Sequence, residues 1–144
     1  MCYRLLLLLC VLLAISTGCG DLVNEANLPV LAEATPYRPE QNETLDLLLN
    51  SIDLNIKSLL RQQQFEIGET QTFTTSLSLD AVTTFYVEEL TSSGWIMDTD
   101  TIPKDSSQRL LVYRREEELL VVVTFDTRDY ANADVLIYTL RASQ

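Results

Sequence analysis

A serine or threonine acting as a nucleophile needs a base beside its hydroxyl, and this chain of 144 residues contains no histidine. Its only lysines are Lys57 and Lys104. Lys57 falls on the polar side of a helical pattern, and Lys104 follows Pro103 in a polar loop, so both read as solvated. The missing histidine also removes the commonest metal ligand. The sequence holds no P-loop, GxGxxG, CxxC or HExxH motif. Carboxylates are the remaining chemistry. Asp98 and Asp100 flank the end of a strand-like segment, and Asp126, Asp129 and Asp134 surround the last loop. Work on a glycosidic bond requires two carboxyls about 5–10 Å apart in a cleft, whereas aspartates at strand ends and in loops are turn formers first. The loop DTRDYANAD (126–134) offers a weak calcium set in Asp126, Asp129, Asn132 and Asp134. It lacks the alternating acidic pattern, the glycine and the closing glutamate of an EF-hand, and Arg128 intrudes. The expectation is therefore no enzyme, no metal and no cofactor. Tyr113, Tyr130 and Tyr138 are the aromatic binding residues to consider, taken as exposed; packing on a sheet face is their other use. The run Glu116-Glu117-Glu118 beside Arg114 and Arg115 reads as a solvated turn with weak surface pairs.

A net charge of −11 repels phosphates, which argues against a nucleic-acid partner. All three cysteines, Cys2, Cys10 and Cys19, lie in the first 19 residues, so the remainder holds no disulfide. Arg4 precedes an eleven-residue apolar run, Leu5 to Ile15. A bilayer core needs about 20 such residues; the run fits a signal peptide, with small residues following at Ser16, Thr17 and Gly18. Ser16-Thr17-Gly18-Cys19 resembles a lipobox, the processing site of bacterial lipoproteins. The family usually places Leu three positions before the cysteine, where this chain has Ser16. The resemblance covers residues 1–19. It implies removal of residues 1–18, a diacylglyceryl thioether on Cys19, and attachment of the mature chain to an extracytoplasmic bacterial membrane surface. Two or more acyl chains anchor stably where one binds marginally. Removing Arg4 would take the net charge from −11 to −12.

The elements behind those residues follow from pattern. Residues 19–42 read as the lipidated cysteine and a flexible tether, rich in Pro29, Pro36, Pro39 and polar residues. The alternative is docking of Leu28 to Ala32 on the domain. Residues 43–144 form the single domain. Leu45, Leu48, Leu49, Ile52, Ile56, Leu59 and Leu60 recur at spacings of three and four, which predicts a helix from Thr44 to about Gln63, capped by Asn42 or Thr44. Leu47 and Leu54 fall off that stripe; widening of the buried face is the expected use, and a partner contact the other. After Gly68, QTFTTS (71–76) reads as a strand. Ser78 caps a second helix, Leu79 to about Ser92, whose apolar stripe is Val82, Phe85, Tyr86 and Leu90, with Gly94 as its stop. Strands begin again at Trp95 and continue as RLLVYRR (109–115), LLVVVTF (119–125) and DVLIYTLR (134–141). LLVVVTF does not alternate, so it should be a central strand buried on both faces.

The stretch FYVEELTSSGW (85–95) is similar to an FYxxxLxxxGW element found in small bacterial lipoproteins and envelope proteins of uncharacterised function. That resemblance implies a fold and brings no catalytic residues. Altogether the expected fold is α+β: two helices packed on a mainly antiparallel sheet of four to five strands, in the order α-β-α-β-β-β-β. The expected role is a non-enzymatic interaction module of the cell envelope, held to the membrane by its lipid. Its partner would be another envelope protein or a second copy in a homo-oligomer. The alternative role is capture of a small molecule or peptide between helix 44–63 and the sheet.

Overall fold

The computed structural model describes residues 28–98, 107–131 and 134–144. Its first helix, α1 (Glu43–Gln62), begins where the Asn42 carboxamide oxygen accepts from the Thr44 and Leu45 amides at 3.1 and 3.2 Å. Glu43 and Asp46 in the first turn and Arg61 in the last turn suit the helix dipole. The second, α2 (Leu79–Ser92), is capped by the Ser78 hydroxyl, which accepts from the Ala81 amide at 3.2 Å. A third helix, α3 (Arg128–Ala131), is one turn within the last loop.

Six strands form one sheet, all neighbours antiparallel. They are β1 (Thr35–Pro36), β2 (Glu66–Thr75), β3 (Ile96–Met97), β4 (Gln108–Arg115), β5 (Glu118–Asp126) and β6 (Val135–Ser143). Across the sheet they run β1-β2-β6-β5-β4-β3. The α+β class is as expected, but the strand count of four to five is not. The sixth strand is β1, drawn from the presumed tether. Two residues leave no alternation to detect, and Pro36 cannot donate to a ladder, which confines such a strand to an edge. The strand expected at 71–76 also begins earlier, at Glu66. Gly68 sits in an irregularity of β2 between Ile67 and Thr70. A side chain there would meet the Arg141 carbonyl oxygen at 2.9 Å, so the glycine permits the close approach of β6.

The helices cover opposite faces. Val82, Tyr86 and Leu90 of α2 pack with Phe73, Leu111, Tyr113, Leu120, Val122 and Ile137. Ile52 and Leu60 of α1 pack with Leu119, Val121, Val123, Tyr138, Leu140 and Ala142. Successive residues of β5 therefore serve different cores, and Leu119 to Thr124 are all buried. That accounts for its continuous apolar run. Full burial of each such side chain contributes roughly 1.5–3 kcal/mol.

The second half of the presumed tether belongs to the domain. Leu28 and Leu31 are buried in the α2-side core. β1 lies on β2, and Tyr37 ties the segment to α1: its hydroxyl donates to Asp46 Oδ1 at 2.9 Å and to the Asn42 carbonyl at 3.1 Å. The Glu40 amide donates to Asp46 Oδ2 at 2.9 Å. Burial, then the neighbouring Asp46 carboxylate, raises the Tyr37 pKa above its ordinary value. Leu28 begins the docking that composition alone left open.

Candidate functional site

Polar side chains singled out by residue type are largely engaged in the fold. Tyr113 is not exposed. It stands fully buried on the α2 side of β4, and its hydroxyl has no hydrogen-bond partner among the described residues. Burial pushes its pKa up to about 12. Tyr138 is also buried, on the α1 side of β6. Its hydroxyl donates to Asp53 Oδ1 at 2.8 Å, and Lys57 Nζ lies 2.8 Å from that same oxygen. Burial and then the bond to Asp53 raise the Tyr138 pKa. Tyr138 faces a core because β6 is covered on both sides, and Tyr113 does because it points from β4 to the side that α2 covers. The Tyr130 side chain and Asn132 lie outside the described residues, as do Cys19, Asp100 and Lys104.

The loop after β5 is organised by arginine. Arg128 pairs with both carboxylate oxygens of Asp126, and its Nε donates to Asp126 Oδ1 at 2.8 Å. The hydrogen bonds from Arg128 hold the Asp126 carboxyl below its ordinary pKa. The Thr127 hydroxyl donates to the Asp134 carbonyl at 2.5 Å, while Asp129 and Asp134 are exposed. Among the described residues, no three Asp, Glu, His or Cys side chains gather as a metal site would require. Asp98 lies 3.7 Å from Arg114.

The acidic turn is more structured than its composition suggests. Glu116 takes the left-handed backbone conformation, φ +54°, that closes the two-residue link from β4 to β5. Glu118 receives Arg115 at 2.8 Å and also pairs with Arg141, and the Arg115 bond is the larger cause of its lowered pKa. The Arg115 guanidinium stacks over Trp95, 4.5 Å from the ring centroid. This knot joins β4, β5 and β6 at one end of the sheet.

An open feature lies on the α1 side, toward β4. The sheet is wider than one helix, and α1 leaves the flank over β4 uncovered. A recess of about 340 Å³ runs between Leu48, Ile52 and Ile56 of α1 and Leu110, Val123 and Phe125 of the sheet. A second recess of about 160 Å³ continues toward Leu59, Val112 and Arg114. The two share Ile56 and Leu110. The α1 apolar pattern was legible in sequence, but its offset from β4 was not. Leu47 and Leu54 do not widen the buried face: they are exposed on the outer side of α1.

No protein-family model, no curated protein and no solved structure matches this chain. Among the described residues, no helix is long and apolar enough to cross a membrane.

Proposed function

We propose that the protein is a lipid-anchored, non-enzymatic interaction module of the bacterial cell envelope. The observation that carries this reading is the order of residues 4–19: one arginine, an apolar run too short to span, small residues, and then Cys19. Acyl chains on that sulfur would hold the mature chain at an extracytoplasmic surface. Lys57 is spent on Asp53, Asp126 on Arg128, and Tyr113 and Tyr138 on the cores.

The folded part would sit near its anchor. Since Leu28 is already buried, only residues 20–27 separate it from Cys19, a reach of at most about 30 Å at ~3.3–3.6 Å per residue. A spacer that short keeps the domain against the headgroup region, where it meets partners confined to the same surface. Replacing Cys19 with Ala tests the anchor. The unsubstituted chain partitions into the detergent phase and carries a mass increment on Cys19; the variant leaves that phase. Equal partitioning of both, or an unmodified Cys19 sulfur, overturns the reading.

The recess beside α1 favours a second reading, capture of an apolar small molecule or an extended peptide. Its 340 Å³ falls within the volume of small-ligand pockets. An environment-sensitive apolar dye would bind there and be displaced by Leu110→Arg. Dye binding that ignores this substitution removes the recess as its site.

A further inference from the structure

The outer side of α1 is not an ordinary polar helix face. Leu47 and Leu54 stand 66% and 70% exposed on it, facing away from the core contacts of Leu45, Ile52 and Leu60. Ser51 and Ser58 complete the row, giving intervals of four, three and four residues. That spacing keeps one seam of a helix turned toward a partner helix. The seam carries no charge in a chain whose net charge is −11. Along it, large and small side chains alternate.

This alternation complements itself when a second copy lies antiparallel. With a two-fold axis passing between Ile52 and Asp53, Leu47 of each copy lies opposite Ser58 of the other. Leu54 then lies opposite Ser51. Every leucine fills the space left over a serine, as close packing demands. A parallel pair in register would instead set leucine on leucine and leave voids between serines. Charge agrees with the same axis. Glu43 and Arg61 occupy one flank of the seam, both exposed, and neither makes an ion pair among the described residues. In the antiparallel arrangement, Glu43 comes level with Arg61 of the second copy, within about 1.5 Å along the helix axis. The two-fold repeats that pair at both ends.

We propose that the protein pairs with a second copy of itself by antiparallel packing of α1 on α1. The seam is Leu47, Ser51, Leu54 and Ser58, closed at each end by Glu43 against Arg61. The proposal deepens the interaction-module reading and rests on it. One helix of 20 residues buries less than the ~1,200 Å² of a standard stable interface. Confinement of both copies to one membrane surface supplies the effective concentration that such a seam needs.

The test uses whole chains in a bacterial membrane. One copy carries Leu47→Cys, a tagged copy carries Ser58→Cys, and the membranes are oxidised. The mixed pair gives a disulfide-linked dimer, about tenfold or more above either variant alone, because two copies of position 47 lie ~16 Å apart along the axis. A mixed pair no stronger than the unsubstituted chain overturns the proposal, and so does Leu47→Cys linking to itself equally well. Adding Leu54→Glu to both copies removes the product while the melting temperature stays put, since that side chain is exposed in the single copy; persistence of the product overturns the seam. The mass of the Cys19 peptide is measured in the same membranes. No crosslink with acylated Cys19 defeats the pairing alone, a crosslink with bare Cys19 defeats the anchor alone, and no crosslink with bare Cys19 defeats both.

Discussion

The Tyr138 hydroxyl donates a 2.8 Å hydrogen bond to the Asp53 carboxylate, whereas the Tyr113 hydroxyl, on the other face of the same sheet, has no partner among the described residues. The two phenols should therefore respond oppositely to loss of one oxygen. Tyr138→Phe removes a bond to a charged acceptor and lowers unfolding free energy by about 1.5 kcal/mol. Tyr113→Phe removes a buried unpaired group and raises it by about 1 kcal/mol. Denaturant unfolding of both variants checks the pair, and equal effects of the same sign would contradict the assigned surroundings. Neither environment was legible in the sequence. Alternation tells inside from outside only when one face meets water; both faces of β6 carry helices, and on β4 the half-open α1 flank leaves Leu110 and Val112 partly buried, so the contrast with Leu111 and Tyr113 is not one of polarity. The partner Asp53 is 85 residues away from Tyr138 in the chain.

Both long helices end in the same device. At the end of α2, the Trp95 amide donates to the Leu90 carbonyl at 3.0 Å and the Gly94 amide to the Thr91 carbonyl at 3.1 Å, with Gly94 at φ +82°. At the end of α1, the Phe65 amide donates to the Leu60 carbonyl and the Gln64 amide to the Arg61 carbonyl, both at 3.0 Å. Each is a Schellman cap, and its apolar contact is present in both: Leu90 with Trp95, Leu60 with Phe65. The spacing Leu90, Gly94, Trp95 within FYVEELTSSGW is thus a capping geometry. Gln64 occupies the glycine's position at φ +65° and bears the steric cost of a Cβ there. Gln64→Gly should stabilise by about 1 kcal/mol, and Gly94→Ala should destabilise by about 1–2 kcal/mol. Thermal melts of the two variants should shift in opposite directions. The α2 stop was legible because glycine marks it. The α1 cap was hidden because glutamine does not.

At the scale of the molecule, three buried tyrosines couple folding to alkaline pH. Burial pushes Tyr86 and Tyr113 up to about 12 and raises Tyr138 further, from an ordinary value of 10.0. A pKa raised in the folded state makes a contribution that is complete below the unfolded value and lost as pH rises through the folded one. Stability should hold to about pH 10 and fall between there and about pH 12. Phenolate absorbance from these residues should appear together with loss of the circular-dichroism signal; ionisation of all six tyrosines of the chain near pH 10 with the signal intact would contradict the burial. Glu118 acts on the acid side: its lowered pKa makes a contribution present above the ordinary carboxylate value of 4.5 and lost as pH falls through the depressed one. The α+β class, the two helices and the doubly buried β5 were determined by the sequence itself, because periodicity and run length are local and survive without knowledge of neighbours. The tertiary structure alone decided the rest. It drew residues 28–37 into the domain, left the flank over β4 open and turned Leu47 and Leu54 outward. Those outcomes depend on how wide the sheet is relative to the helix laid on it, and sheet width is set by pairings between segments far apart in the chain.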